Sequence, residues 1–211
     1  MSKLYFSILP KPQIKLLKKL GFLKKYGFYL AGGTALALQI GHRTSLDFDF
    51  YTPRKFDSQK LYKLLEKKLK KVILLGKEEN TLWVKIQNVS TSFFQYPYPL
   101  IFPLIQEKDF PPLASKEDIA KIIAISERGA KRDFVDIYFL LKEFPLEKIL
   151  NWVKKKYPNF NIYVALRALT HFADAEKKQK RRLYLIYSVS WSKIKKFLIE
   201  EVRKYQEKWL K

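Results

Sequence analysis

Two carboxylates stand two positions apart in an apolar run, Ser45-Leu46-Asp47-Phe48-Asp49-Phe50, shortly after the turn Ala31-Gly32-Gly33-Thr34. Side chains alternate faces along a strand. The spacing therefore predicts a strand with Leu46, Phe48 and Phe50 buried on one side and both acids thrust out of the other. At about 4 Å and an effective dielectric near 20, such like charges repel by roughly 4 kcal/mol. A shared proton, a neighbouring cation or a bound metal must offset that cost. A hard divalent cation such as Mg²⁺ (or Mn²⁺) prefers carboxylate oxygens and completes its shell with phosphates. The stretch reads as a metal clamp, although an Asp-x-Asp alone is also an ordinary exposed polar face.

The preceding segment suggests what the clamp grips. Phe28-Tyr29-Leu30-Ala31 predicts a short strand ending at Gly32-Gly33, and the apolar residues of 34–40 predict a short buried helix closed by Gly41. A Gly-Gly strand-to-helix turn allows close backbone approach, and a helix start offers free N–H groups to an anion. Thr34 suits either the N-cap or a hydroxyl contact to a phosphate oxygen. Arg43 either neutralises the acids, meets phosphate or is a plain loop residue, and Ser45 is open to the same choice. Phosphate cradle, helix, basic loop and paired acids suit a nucleoside triphosphate (NTP) with its metal.

Elsewhere, residues 13–25 read as a basic amphipathic helix interrupted at Gly21, and 58–70 as a helix with Leu61, Leu64, Leu65 and Leu69 on one face. Strands are expected at 72–75, 81–87 and 91–96, with turns at Gly76 and Asn88-Val89. Pro97, Pro99, Pro103, Pro111 and Pro112 mark an extended connector. From Ser115 the pattern is helical: 115–126, 132–143, 146–156, a buried-looking 162–172 and a basic tail helix from about Ser192. These elements argue an α+β chain, with a mixed sheet and flanking helices over 1–112 and a helical C-terminal lobe over 113–211.

With 42 Lys and Arg against 20 Asp and Glu, the net charge of +22 repels itself unless it faces a polyanion. RNA or DNA contact is one reading. A solvated lysine-rich surface is the other, because the lysines spread over 15–25, 67–71, 154–156 and 177–182. No apolar run approaches the roughly 20 residues of a membrane-crossing helix, and the N-terminus lacks the pattern of a secretory signal. Without cysteine there is no disulfide or thiolate metal site. A cytoplasmic protein with no membrane partner is the expectation. His42 and His171 lack the spacing of a zinc hydrolase, and neither a Walker A lysine nor a kinase Gly-rich loop is present.

Ala31-Gly32-Gly33, thirteen residues, then Asp47-Phe48-Asp49-Phe50 resembles the signature of the DNA polymerase beta-type nucleotidyltransferase superfamily. The fuller string Gly-Gly-Thr-Ala-Leu-Ala-Leu, with His42-Arg43-Thr44-Ser45 before the acids, is similar to the AbiEii/AbiGii toxin branch. A second block agrees: Lys121 to Gly129, then Lys131-Arg132-Asp133-Phe134-Val135-Asp136. The likeness covers most of the first 141 residues. It implies a polymerase beta-type core in which Asp47 and Asp49 are the catalytic metal ligands and Gly32, Gly33 and Thr34 meet the triphosphate. It also implies phosphate contacts from Lys121 and Arg128, which the residues alone equally allow as a solvated stripe on one helical face. The activity implied is transfer of a nucleoside monophosphate from an NTP to an acceptor hydroxyl. RNA, transfer RNA at family level, is the implied acceptor. The implied role is the toxin of a toxin–antitoxin or abortive-infection system with a separately encoded antitoxin protein.

One departure stands out. Relatives commonly carry a third carboxylate on a later strand, but Thr91-Ser92-Phe93-Phe94-Gln95 has none, and Ser92 occupies the position. Asp118, Asp133 or Asp136 could substitute, or a single metal could suffice. Otherwise the chain is an inactive basic RNA-binding module on the same fold; a nucleotidyltransferase acting on protein hydroxyls is a further alternative. Read structurally, Asp118 completes a capping box with Ser115. Asp133 and Asp136 are acids near a helix start, within an ion-pair network.

Overall fold

The computed structural model describes residues 3–119, 121–177 and 183–208, so all but Lys177 of the basic run 177–182 lies outside the described residues. Two compact units divide the chain, Met1–Ser115 and Lys116–Lys211.

In the first unit, alternation of apolar and polar residues builds a mixed sheet. Its strands are β1 (Tyr29–Ala31), β2 (Phe48–Thr52), β3 (Val72–Glu78), β4 (Thr81–Ile86) and β5 (Val89–Gln95), in the order β1-β2-β5-β4-β3. The pair β2–β5 is parallel and the others are antiparallel. Phe48, Phe50, Leu82, Val84, Ile86 and Phe93 are fully buried. Between them Asp49, Tyr51, Trp83, Lys85, Ser92 and Phe94 are half-buried. One face is therefore core and the other is partly open. Phe50 stacks on Phe93 at 5.3 Å, and Phe28 meets Phe93 edge-on at 5.4 Å. Burying each such ring contributes about 1.5–3 kcal/mol.

Helix α1 (Lys11–Lys19) runs on into 3-10 turns at Leu20–Tyr26, matching the expected interruption at Gly21. Helix α2 (Gly32–Ile40) packs against β1 and β2, and α3 (Ser58–Lys68) against β3 and β4. Two expected turns fall elsewhere. The β4–β5 hairpin turns at Gln87 and Asn88, whose φ of 49° and 71° suit a two-residue turn twisted with the strands. β5 accordingly starts at Val89. β3 does not stop at Gly76 but continues to Glu78 through a bulge between Leu74 and Gly76.

The proline-rich connector returns to the sheet. Leu30 N donates to Pro112 O at 2.7 Å and Ala114 N donates to Leu30 O at 2.8 Å, so Leu113 bridges the other edge of β1. Gln39 Nε2 adds a bond to Ala114 O at 2.9 Å.

The second unit is helical: α4 (Lys116–Ile119), α5 (Ile122–Arg128), α6 (Lys131–Glu143), α7 (Leu146–Lys156), α8 (Ile162–Thr170), α9 (Ala173–Glu176) and α10 (Trp191–Glu207). The helix expected over 115–126 is thus two pieces. Helix α6 buries Phe134, Val135, Ile137 and Leu140 along its core side, and Phe134 meets Phe172 at 5.1 Å and Trp191 at 5.8 Å. Helix α8 is not buried all round: Tyr163 is 61% exposed, and only Ala165, Leu166 and Leu169 turn fully inward. No helix among the described residues is long and apolar enough to cross a membrane.

Candidate active site

β1 delivers the chain to the glycine turn beside the acids. Ala31, the last residue of β1, pairs with Asp49 of β2. Gly32 then turns into α2 at φ +63°, a left-handed conformation that residues with a Cβ adopt only at a cost. A second constraint is spatial: a Cβ on Gly32 would lie 2.7 Å from Asp49 Oδ2 and 3.4 Å from Asp49 Cγ. The carboxylate occupies the space that only glycine leaves open. The acid and the bend converge.

Asp47 immediately precedes β2, and both acids are half-buried on either side of the fully buried Phe48. Leu46 departs from the expected inward set. It is 47% exposed, because it lies ahead of the point where the strand and its alternation begin.

Thr34 is the third residue of α2, not its N-cap, which is Ala31 and makes no side-chain cap. The Thr34 hydroxyl is 2.8 Å from Ser45 Oγ and also bonds the Asp47 carbonyl. A carbonyl can only accept, so Thr34 gives its single proton to Asp47 and Ser45 donates to Thr34. This pair of hydroxyls, Thr34 buried and Ser45 half-buried, fixes the backbone where the first acid leaves the loop. Arg43 is also buried, and its guanidinium donates to Thr44 O at 3.0 Å and to Gly33 O at 3.5 Å. Those bonds lace the 41–47 loop to the glycine turn.

The strand register places Ser92 directly beside Asp49. A hydroxyl therefore stands where a third acid would lie. Two residues beyond Asp49 on the same face comes Tyr51, flanked by Tyr29 and Phe94. Sequence reasoning did not single out these aromatics. The period-two alternation continuing past Asp49 was the signal that could have found them.

The second block forms a buried ion-pair cluster within the helical unit. Lys121 Nζ lies 3.1 Å from Asp133 Oδ1 and 3.3 Å from Asp136 Oδ2, with both carboxylates fully buried. Arg128 grips Asp133 with two bonds, Nε to Oδ2 at 2.7 Å and a terminal nitrogen to Oδ1 at 2.8 Å, while its side chain stays 48% exposed. Burial pushes the Asp133 carboxyl up, but the Arg128 hydrogen bonds and the charges of Lys121 and Arg128 outweigh it, holding the group below the usual carboxylate range. Asp118 pairs with buried Lys156 at 3.0 Å. Both cations expected at phosphate thus engage acids of their own unit.

The described residues contain no group of three or more His, Asp or Glu side chains that could hold a metal. Asp47 and Asp49 offer two carboxylates two residues apart, one just ahead of β2 and one within it. Mg²⁺ is commonly bound by one or two carboxylates plus substrate phosphates, so the donor chemistry fits.

A mixed sheet with Asp49 of β2 against the Gly32 turn into α2 has the architecture of a nucleotidyltransferase core. The crystal structure of a candidate nucleotidyltransferase from H. pylori aligns over 95% of this chain and 97% of its own, at 16% identity and a TM-score of 0.55. That of the Megavirus polyadenylate synthase aligns with 67% of this chain at 17% identity and a TM-score of 0.47, and the chain spans about a third (34%) of its length. The family model described as "Nucleotidyl transferase AbiEii toxin, Type IV TA system" matches residues 19–100. An uncharacterised Aquifex aeolicus (strain VF5) protein, aq_aa25, is 37% identical over 187 residues, which is 85% of this chain and 88% of that protein. The chain belongs to the AbiEii nucleotidyltransferase family.

Proposed function

We propose that this nucleotidyltransferase acts where Gly32 and Gly33 meet the acids Asp47 and Asp49, moving a nucleoside monophosphate from an NTP to a hydroxyl of RNA, transfer RNA at family level. The observation that carries the reading is the contact of Asp49 with the turn: the acid occupies the space beside the Gly32 Cα. A cation held by the acids would then share a site with phosphate held by the first amides of α2. Asp47 and Asp49 would hold Mg²⁺ or Mn²⁺, which supplies charge neutralisation on the phosphates and polarises the bond that breaks.

The remaining work is positioning. The Gly33 amide and its neighbours steady the terminal phosphate. Thr34 and Ser45 act through the backbone, keeping Asp47 in place. Arg43 holds the loop to the turn and adds positive charge behind it. The acceptor oxygen attacks the α-phosphorus in line, the bond to pyrophosphate breaks, and the hydroxyl proton passes to solvent. With Ser92 beside Asp49, the proposal uses one cation. The family resemblance adds Lys121 and Arg128 as phosphate partners; a phosphate at Arg128 has to compete with Asp133.

The toxin role with a separately encoded antitoxin belongs to the same proposal and is supported by the family. The test incubates the purified protein with each labelled NTP, Mg²⁺ and total RNA. Label is expected in the RNA fraction, and Asp47→Asn should abolish it without unfolding the chain. Transfer that survives Asp47→Asn would refute the site, and label on protein would refute the acceptor. Ser92 in place of an acid is the one observation favouring an inactive RNA-binding module, whose signature is salt-sensitive RNA binding without incorporation.

A further inference from the structure

We propose that the open face of the sheet is a stacking platform for the unpaired bases of a single-stranded RNA acceptor, running from Asp49 along Tyr51 and Tyr96 to Tyr98. The inference deepens the RNA reading above and rests on it for the identity of the ligand. Its geometry comes from the register. Asp49 pairs laterally with Ala31 and Ser92; two residues on, Tyr51 pairs with Tyr29 and Phe94 on the same face. At about 3.3 Å of rise per residue, the first ring stands roughly 7 Å from the acid along the strand.

The rings continue from there. Tyr51 lies 4.7 Å from Tyr96 and 5.7 Å from Phe94, Tyr96 lies 5.0 Å from Tyr98, and Trp83 lies 6.1 Å from Phe94. Unlike Phe48, Phe50 and Phe93 on the opposite face, these rings are not sealed in the core. Tyr51, Trp83, Phe94 and Tyr96 are half-buried, and Tyr98 is 44% exposed. A contiguous, partly exposed aromatic row of this kind suits a contact site.

Length and charge choose the occupant. The row is longer than one nucleobase, so it suits successive bases of a strand better than the single base of an NTP. Acids stand at one end. At the other, Arg54 and Lys55 are exposed just after β2 ends, and Tyr96 N donates to Thr52 O beside them at 2.7 Å. Lys85, opposite Ser90, lies on the same face by register at the acid end of the row. A polyanion lying along the row can therefore meet cations with its backbone while its terminal hydroxyl reaches the acids. Base–ring stacking combined with a basic track is the chemistry of single-strand binding. Paired bases inside a duplex cannot use it.

The test measures binding of a labelled 12-nucleotide oligoadenylate to the full chain without NTP or metal, as a function of salt. Replacing both rings (Tyr51→Leu with Tyr96→Leu) should weaken binding roughly 25-fold, since one ring-stacked base is worth about 5-fold or more. The slope of affinity against salt should not move, because no charge is lost. The Tyr51→Phe, Tyr96→Phe pair should bind as wild type, and duplex RNA should be insensitive to the ring changes. Tyr98→Ala, at an exposed position, tests the row without straining the fold and should cost about 5-fold. Wild-type affinity in the leucine pair and in Tyr98→Ala overturns the proposal. So does a loss of NTP affinity with RNA binding intact, which would assign the rings to the base of the NTP. If the wild-type chain shows ring-dependent RNA binding but no transfer to RNA, the platform stands and the catalytic reading above falls.

Discussion

Gly32→Ala separates the chemistry of the proposed site from the stability of the chain. The new Cβ would meet Asp49 Oδ2 at 2.7 Å, in a backbone held at φ +63°. Reaching an optimal separation of about 3.5 Å requires the carboxylate to retreat by about 0.8 Å. A shift near 1 Å at a reacting centre can cost on the order of 100-fold in rate. The left-handed backbone adds about 1–2 kcal/mol of strain. Gly41→Ala is a matched control. It sits at φ +74° at the other end of α2, and its Cβ would meet Tyr5 Cγ at 2.7 Å, so backbone strain and crowding are similar but no acid is touched. Urea unfolding should show comparable losses for the two variants. Single-turnover transfer of labelled nucleotide should fall roughly 100-fold for Gly32→Ala and stay near wild type for Gly41→Ala. Equal activity in the two would show that the Gly32–Asp49 contact does not set the position of a reacting group.

Asp49→Asn should remove transfer while leaving the unfolding midpoint nearly unchanged, because the side chain is only half-buried; a variant that transfers normally would take Asp49 out of the site. Thr34→Val takes the donor from the Asp47 carbonyl and should cost about 1–3 kcal/mol, read by denaturant unfolding, together with a fall in transfer. Asp133→Asn should destabilise by about 3 kcal/mol, the lower end of the range for breaking a buried pair, because Lys121 keeps Asp136. The same group sets an acid limit. Its folded carboxyl is held below the ordinary value, so its stabilisation is complete above about pH 4 and is lost as pH falls through the folded value. Acid unfolding curves of wild type and Asp133→Asn should therefore converge below that pH.

Much of the fold was legible because its signals are local. Alternation around Phe48 and Phe50 marked a strand with one buried face, and the apolar spacing of 146–156 gave a helix with the bounds of α7. Errors fell where local signals compete. Gly76 suggests a turn, but opposite Trp83 it sits in a bulge that the strand simply runs through. Asn88 tolerates positive φ, yet the turn is set by Gln87 and Asn88 together, once Ile86 and Val89 have paired. In the site, the acids and glycines were readable as residue types at a spacing. The roles of Thr34 and Arg43 were not, since each bonds backbone carbonyls supplied by the fold.

By itself the sequence determined the strand–turn–helix–acid order, the choice of glycine at the bend and the excess of positive charge. These depend on backbone preferences and side-chain chemistry within a few residues. Tertiary structure decided that Asp49 lies against Gly32, that Ser92 stands beside it, and that Lys121 and Arg128 share Asp133. Lys156 likewise finds Asp118 across 38 positions of sequence. The partner of a charged or hydroxyl side chain is whichever group folding brings within about 3 Å, and no period in the sequence encodes that distance.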